Sequence, residues 1–376
     1  MKRLLILLLM VLFFQVILSA DTDDDEFSFA GTVKPFSFAL SPKFYGARGE
    51  VLLSGSWRPY TTFLIGAGGA YENAYFYMLP DGTYYIGDTS DYPGVTAENP
   101  EQYRRLAFNW ETGIIQGILA DENRDRNLME LIFIYRGKYQ RYYIREGSLA
   151  DSSVFTNADG LFVNSITTGL RFRTVKTHQV SDVQEGINIE FTVEAAPSFF
   201  FNSIIGHSSY SRITSVLRSF FPLFRNTRGS WNVFSGYLGF SGTIDTFLGP
   251  AVPLPALQTF GGIEGGYGLG GAIRGLEPGR FAAPIKGVFA GELRLNLPSV
   301  LHRNIVPGLL FFFDSGFYYF NDSENTGGDI YSTGAGISLN ILDFTTLTVY
   351  TAVLLNETKL NGKSWTPVSF GFSHHF

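Results

Sequence analysis

Three residues have the types and spacing to form a charged clamp: Arg274, Glu292 and Asp314. Arg274 lies near the end of the run GGIEGGYGLGGAIRGLEPGRF, with eight glycines between Gly261 and Gly275. That density excludes a helix or a plain strand and lets the backbone fold back through a narrow space. Two strand-like segments follow, 285–297 and 306–320. On the first, Glu292 shares an alternating face with Lys286, Arg294 and Asn296, while Phe289, Leu293 and Leu295 take the other face. On the second, Asp314 stands amid LLFFFDSGFYYF, where a carboxylate turned to apolar surroundings is costly. A guanidinium can bridge two carboxylates through forked hydrogen bonds, so the chemistry on offer is electrostatic clamping. Two arrangements fit the residues alone. Either Arg274 folds in to meet both acids, or it is solvated and the acids meet Arg294 or Lys286.

Other chemistries find less support. There is no G-x-S-x-G run and no cysteine nucleophile, so the chain is expected not to be an enzyme. His178, His207 and His302 fall in turn-like stretches. Neighbours on a strand point to opposite faces, so His374 and His375 cannot share a metal ion, and no metal or cofactor is expected. Gly266 to Gly271 matches G-x-G-x-x-G, yet Pro278 and Pro284 break the helix that a dinucleotide site needs next. The net charge of −6 includes Lys2 and Arg3, so residues beyond 20 carry −8, which argues against nucleic acid as a partner.

The elements that must position the clamp are strands. Residues 1–20 read as a secretory signal peptide, with a basic start, an apolar run from Leu4 to Leu18 and a small-residue end. An acidic segment, 21–32, follows. Beyond it no stretch approaches eighteen consecutive apolar residues, although 36 Phe and 20 Tyr are spread evenly along the chain. An even supply of aromatics on one alternating face is what a transmembrane barrel requires. In Gly186 to Glu194, Ile187, Ile189, Phe191 and Val193 oppose Asn188, Glu190, Thr192 and Glu194. Leu170 and Phe172 oppose Arg171 and Arg173, Arg212 and Arg218 share a face, and Phe234, Leu238, Phe240 and Ile244 another. Strands are expected at 33–42, 48–57, 60–71, 72–79, 82–87, 105–119 and 127–146. Nine more follow at 160–176, 185–200, 208–224, 231–247, 285–297, 306–320, 330–341, 344–355 and 365–376. The expectation is an all-β, antiparallel transmembrane β-barrel of sixteen strands over 33–376, with the glycine-rich loop folded into the lumen.

The segment Ile273, Arg274, Gly275 and Leu276 resembles the hydrophobic-Arg-Gly-hydrophobic loop of the BamA/TamA-type bacterial surface-antigen superfamily. That group comprises outer-membrane protein assembly factors and two-partner-secretion translocators. Glu292 in Gly-Glu-Leu-Arg and Asp314 in Phe-Phe-Asp-Ser-Gly resemble the acids of two neighbouring strands of that family. The resemblance spans about Gly160 to Phe376 and favours Arg274 inside the barrel, with Gly261, Gly262, Gly270 and Gly271 as the loop's flexible points. It implies an integral bacterial outer-membrane protein that helps insert, assemble or translocate proteins, or lipids, and whose partners are outer-membrane lipid and unidentified client proteins. The family carries periplasmic polypeptide-transport-associated domains before its barrel. About a dozen residues lie between Ala20 and the first expected strand, so a barrel-only member is expected. The alternative function is a passive pore or a surface-binding barrel without insertase activity.

The last strand, WTPVSFGFSHHF, places Val368, Phe370, Phe372 and terminal Phe376 on one face, the pattern of an outer-membrane insertion signal read by the barrel-assembly machinery. Pro367 and Gly371 weaken its ladder. Deleting Phe376, or Phe372→Asp, is expected to block assembly; undiminished heat-modifiable protein in the outer membrane would show the aromatics to be incidental.

Overall fold

The computed structural model describes residues 27–40, 45–57, 61–76, 102–121, 127–144, 157, 159–178, 180–263, 266–276, 279, 281–300, 302–303, 305–319, 327–341, 345–356 and 365–374. Almost all of them are in antiparallel strands. The first group comprises β1 (Phe27–Leu40), β2 (Tyr45–Trp57), β3 (Thr61–Tyr75), β4 (Gln102–Ala120), β5 (Asn127–Tyr143) and β6 (Leu161–Arg173). A short β7 (Lys176–His178) leads to β8 (Val183–Ala196), β9 (Ser209–Arg228) and β10 (Trp231–Ala251). The long loop after β10 carries a helical turn, Leu254–Leu257, and a two-stranded ladder of β11 (Thr259–Phe260) with β12 (Gly266–Gly268). The meander resumes with β13 (Ile285–Asn296), β14 (Ile305–Tyr319), β15 (Gly328–Ile341), β16 (Thr345–Leu354) and β17 (Trp365–His374). Setting β7 aside, each strand of the main sheet pairs with its neighbour in sequence, β10 pairing β13 across the loop. Among the described residues the sheet runs from β1 to β17 and its two ends do not pair.

The alternation that defines the strands also sorts their faces. Leu131 and Phe133 on β5, Leu170 and Phe172 on β6, and Ile187, Ile189 and Phe191 on β8 are exposed. So are Leu217 and Phe221 on β9, Phe240 and Ile244 on β10, and Phe311 and Phe313 on β14. Their neighbours Ile132, Ile134, Asn188, Glu190, Thr192, Thr214 and Asp245 are buried on the opposite, inner face. An apolar outer band over a polar, buried interior reverses the order of a water-soluble sheet and is the sorting that a transmembrane barrel requires. Charges on the inner face are matched across neighbouring strands: Arg105 with Glu72, Arg136 with Glu111, Arg171 with Glu130, and Arg212 with Asp245.

The nine later segments correspond to β6, β8, β9, β10 and β13 to β17 within a few residues. The early third departs from the reading. Segments 60–71 and 72–79 are one strand, β3, whose ladder to β4 is unbroken from Thr61 to Tyr75. The polar Glu72 and Asn73 at their boundary do not interrupt the strand, because β4 pairs with both and β2 with Glu72. The expected strand at 82–87 and the polar stretch 87–101 lie outside the described residues, as do the signal peptide and Phe376. Fourteen strands thus make the described meander, and β1 begins at Phe27, ahead of position 33.

Connections differ between the two ends of the sheet. At one end β2–β3 and β15–β16 are joined by three residues and β9–β10 by two. At the other, β3–β4 takes 26 residues and β10–β13 takes 33. The start of β1 and the end of β17 both fall at the short-turn end.

The face assignment makes a direct prediction. Phe133→Arg places a cation on the outer face midway along β5 and is expected to cost roughly 2–4 kcal/mol in urea unfolding from lipid vesicles. An unchanged midpoint would mean that this face does not meet the bilayer core.

Candidate functional site

The loop from Val252 to Pro284 turns inward, and its route is set by the side chains it meets. Its entry packs Leu254 and Leu257 against the inner-face cluster of Tyr103, Tyr142, Tyr210 and Phe247. Lys286, fully buried on β13, donates through Nζ to the carbonyls of Leu257 at 2.7 Å and Ala283 at 3.3 Å, with the rings of Phe247 and Phe260 beside it. One ammonium therefore ties the loop's entry to its exit.

Beyond the helical turn the strands grip loop backbone. On β9 and β10, Arg212 Nε donates to Asp245 Oδ2 at 2.8 Å, and Arg212 also bonds the Thr259 carbonyl. Asp245, with no solvent access, accepts as well from Thr214 Oγ1 at 2.7 Å and from the Gly261 amide at 3.1 Å. Farther around the sheet, Arg136 of β5 donates to the carbonyls of Gly262 at 3.0 Å and Ile263 at 2.8 Å. Glu190 of β8 accepts from the Ile263 amide at 2.6 Å. Gly262 has φ +95°, and a Cβ there would meet Glu190 Oε1 at 2.6 Å, so this point requires glycine. A single loop touching β5, β8, β9 and β10 in this way is enclosed by a curved sheet.

The loop then crosses to β13 and β14. Leu269 to Ala272 form an irregular turn that includes Gly270 and Gly271, the latter at φ +94°. Ile273 and Leu269 are fully buried, and together with Leu276, Phe281, Val288, Ile330 and Leu354 they form one apolar cluster. Gly316 on β14 makes the socket: a Cβ there would stand 2.2 Å from Ile273 Cδ1. Next along the loop, Arg274 reaches Asp314, which has no solvent access, through its main-chain N–H at 2.9 Å, Nε at 2.9 Å and one terminal nitrogen at 2.6 Å. Its other terminal nitrogen bonds Glu292, and the guanidinium lies 3.6 Å from the centre of the Phe312 ring. Arg294 holds the second oxygen of Glu292. Gly275 follows at φ +94°, and the Leu276 amide turns back to the Ile273 carbonyl at 3.1 Å. The site is thus a planar cation held by two carboxylates and an aromatic face, largely shielded from solvent, and it fastens the loop to β13 and β14.

Of the residues singled out by sequence, the structure brings together Ile273, Arg274, Gly275, Leu276, Glu292 and Asp314, and places Gly261 and Gly262 at the opposite side of the loop's path. Arg294 joins the clamp through Glu292. Lys286 does not meet the acids; it binds backbone carbonyls, because the loop's own chain fills the space in front of it. Val368, Phe370 and Phe372 lie on β17, and their side chains, with Phe376, are outside the described residues. His178 Nδ1 lies 2.9 Å from the hydroxyl of Ser181, which is fully buried, and His207 Nδ1 lies 3.2 Å from that of Ser203, so both rings serve local turns. Among the described residues no cluster of metal-ligating side chains occurs. Sequence reasoning missed the grip of Arg136, Arg212 and Asp245 on the loop. Asp245 carries the signal that marks Asp314, a lone carboxylate in an otherwise apolar strand.

At the short-turn end a second segment folds inward. The Ser181 carbonyl accepts from Ser235 Oγ of β10 at 2.9 Å and Asn296 Nδ2 of β13 at 2.7 Å, while Asp182, at φ +52°, bonds Asn340 of β15. The turn between β7 and β8 therefore spans the inner edge of several strands.

A curved antiparallel sheet wrapped around its own clamped loop defines a plugged, barrel-like class of protein. Solved structures resemble its fold. CdiB from Acinetobacter baumannii aligns over 93% of this chain and 56% of that chain, with 12% identity and a TM-score of 0.53. CdiB from Escherichia coli aligns over 92% of this chain and 55% of that chain, with 10% identity and a TM-score of 0.54. BamA from Haemophilus ducreyi lacking POTRA domains 1-3 aligns over 93% and 70%, with 12% identity and a TM-score of 0.48. The chain has the fold of the CdiB structures and spans a little over half their length. No protein-family model and no curated protein sequence matches it.

The clamp is testable by a double-mutant cycle. Arg274→Ala leaves Asp314 buried without its cation and is expected to cost roughly 3–5 kcal/mol. Adding Asp314→Ala should cost far less than the sum, with a coupling of about 0.5–3 kcal/mol in urea unfolding. Additive costs would mean that the two side chains do not support each other.

Proposed function

We propose that the chain is an integral outer-membrane β-barrel, closed between β1 and β17, that assists the insertion, assembly or translocation of proteins. The observation that carries this reading is the Arg274 clamp, which seats a 33-residue loop inside the sheet. An interior so occupied is unsuited to steady flow of small solutes, and it leaves the wall of the barrel as the place where a client can engage. The seam between β1 and β17 is weakened by Pro367 and Gly371, and a poorly paired edge can lend backbone hydrogen bonds to an incoming strand. The long connections face outward from the cell and both terminal strands open to the periplasm, the usual disposition of such barrels. The protein acts without catalysing a covalent step, and its partners are lipid and unfolded client strands.

Two measurements on purified protein test the reading. In planar bilayers the intact chain is expected to open rarely, and deletion of 261–280 to give steady conductance. In proteoliposomes it is expected to accelerate folding of a urea-denatured eight-stranded outer-membrane barrel, and Arg274→Ala to abolish the acceleration. Steady conductance by the intact chain without acceleration would establish a passive pore instead.

A further inference from the structure

The most exposed large apolar side chains among the described residues are not on the strands. Phe199, Phe201 and Ile204, on the turn between β8 and β9, are 76, 70 and 65% exposed, against 61% for Ile65, the highest on any strand. They are held there by a rigid scaffold. Asn202, fully buried between them, accepts from the Asn164 amide at 2.6 Å and donates to the carbonyls of Asn164 at 2.9 Å and Pro197 at 3.0 Å. Its own carbonyl accepts from the Ser208 amide at 2.9 Å. Asn164 Nδ2 in turn donates to the Phe200 carbonyl at 2.8 Å. Phe201 has φ +64°, a left-handed conformation that costs any residue with a β-carbon and that glycine or asparagine would occupy in a turn of purely connecting role. Ser203, which follows Asn202, has its hydroxyl beside His207.

The position of the turn says what it meets. Asn164 points outward, since its Oδ1 accepts from Tyr135 at 2.6 Å and Tyr135 alternates with the outward Phe133 and Leu131. The turn therefore pairs the edge of β6 beyond the end of β8, Phe162 N–H donating to the Ile205 carbonyl at 2.9 Å, and its Phe200 carbonyl lies on the outer face at the long-connection end. At that same end of β5, Arg141 stands 5.6 Å from the centre of the Tyr143 ring, and Tyr71 packs edge-on against Tyr143. Tyrosines with an arginine at one level of a barrel's outer face mark the boundary between hydrocarbon and headgroups.

We propose that the Pro197–Ser208 turn inserts Phe199, Phe201 and Ile204 into the acyl chains of the leaflet at the long-connection end, anchoring the barrel beside its lipid-facing band. The inference rests on the membrane-barrel reading above. The occupant is hydrocarbon because the patch is apolar, rigid and continuous with that band.

The chain has no cysteine, so a nitroxide on a single introduced cysteine reports one position. Phe199→Cys, Phe201→Cys, Ile204→Cys and, on the strand band, Phe133→Cys would be labelled in the full chain in vesicles of phosphatidylcholine and phosphatidylglycerol. Collisions with oxygen and with a water-soluble nickel chelate are then compared. All four labels are expected to favour oxygen, and Phe199→Ser with Ile204→Ser to raise nickel access severalfold at position 201 alone. Nickel access at the three turn positions with Phe133 still in hydrocarbon would overturn the anchor and leave the barrel. Nickel access at Phe133 as well would overturn the barrel reading. Spin–spin broadening at 201 would show a second copy covering the turn and would also overturn the anchor.

Discussion

Asp314 has no contact with solvent, and its charge is balanced by a guanidinium that arrives from a loop rather than from a neighbouring strand. An uncompensated carboxylate at such a site would be severely costly, so the fold of the sheet and the seating of the loop are one problem. The rest of the interior follows. Phe312 flattens the guanidinium against a ring, Gly316 opens room for Ile273, and Arg294 steadies Glu292 from its far side. On the adjoining strands β9 and β10, Arg212 and Asp245 solve the same problem with a cross-strand pair and use their remaining hydrogen-bonding capacity on the loop backbone.

The wall itself obeys a simpler rule. Period-two alternation sorts apolar residues outward and polar ones inward, and the inward charges are cancelled across adjacent strands. This explains why strands from β6 onward are legible in the sequence: in Gly186 to Glu194 every side chain declares its face. It also explains the failure near Tyr71. The expected boundary falls between Tyr71 and Glu72, whereas the strand continues there through backbone hydrogen bonds that no side-chain pattern records.

The clamp was legible for a related reason. A lone carboxylate in an apolar strand and a lone cation in a glycine run each demand a partner, and resemblance to a known loop pattern chose between the possible pairings. Residues that act on backbone leave no such trace. Arg136 and Glu190 look like ordinary members of a polar face, and Lys286 looks like a rival partner for the acids. Only the path of the loop shows that they bind its carbonyls and amides.

That division of labour bears on how freely the loop can diverge. Between Leu257 and Ile263 the strands recognise chiefly peptide groups, and among the side chains there Phe260 and Gln258 are the buried ones. From Leu269 to Leu276 they recognise a particular cation and particular apolar shapes. The address that lodges the loop is therefore written mostly in the wall, and the loop itself holds only a brief reply, a few residues around Arg274. A plug of this kind can drift in sequence, and even in length near its tip, while returning to the same berth.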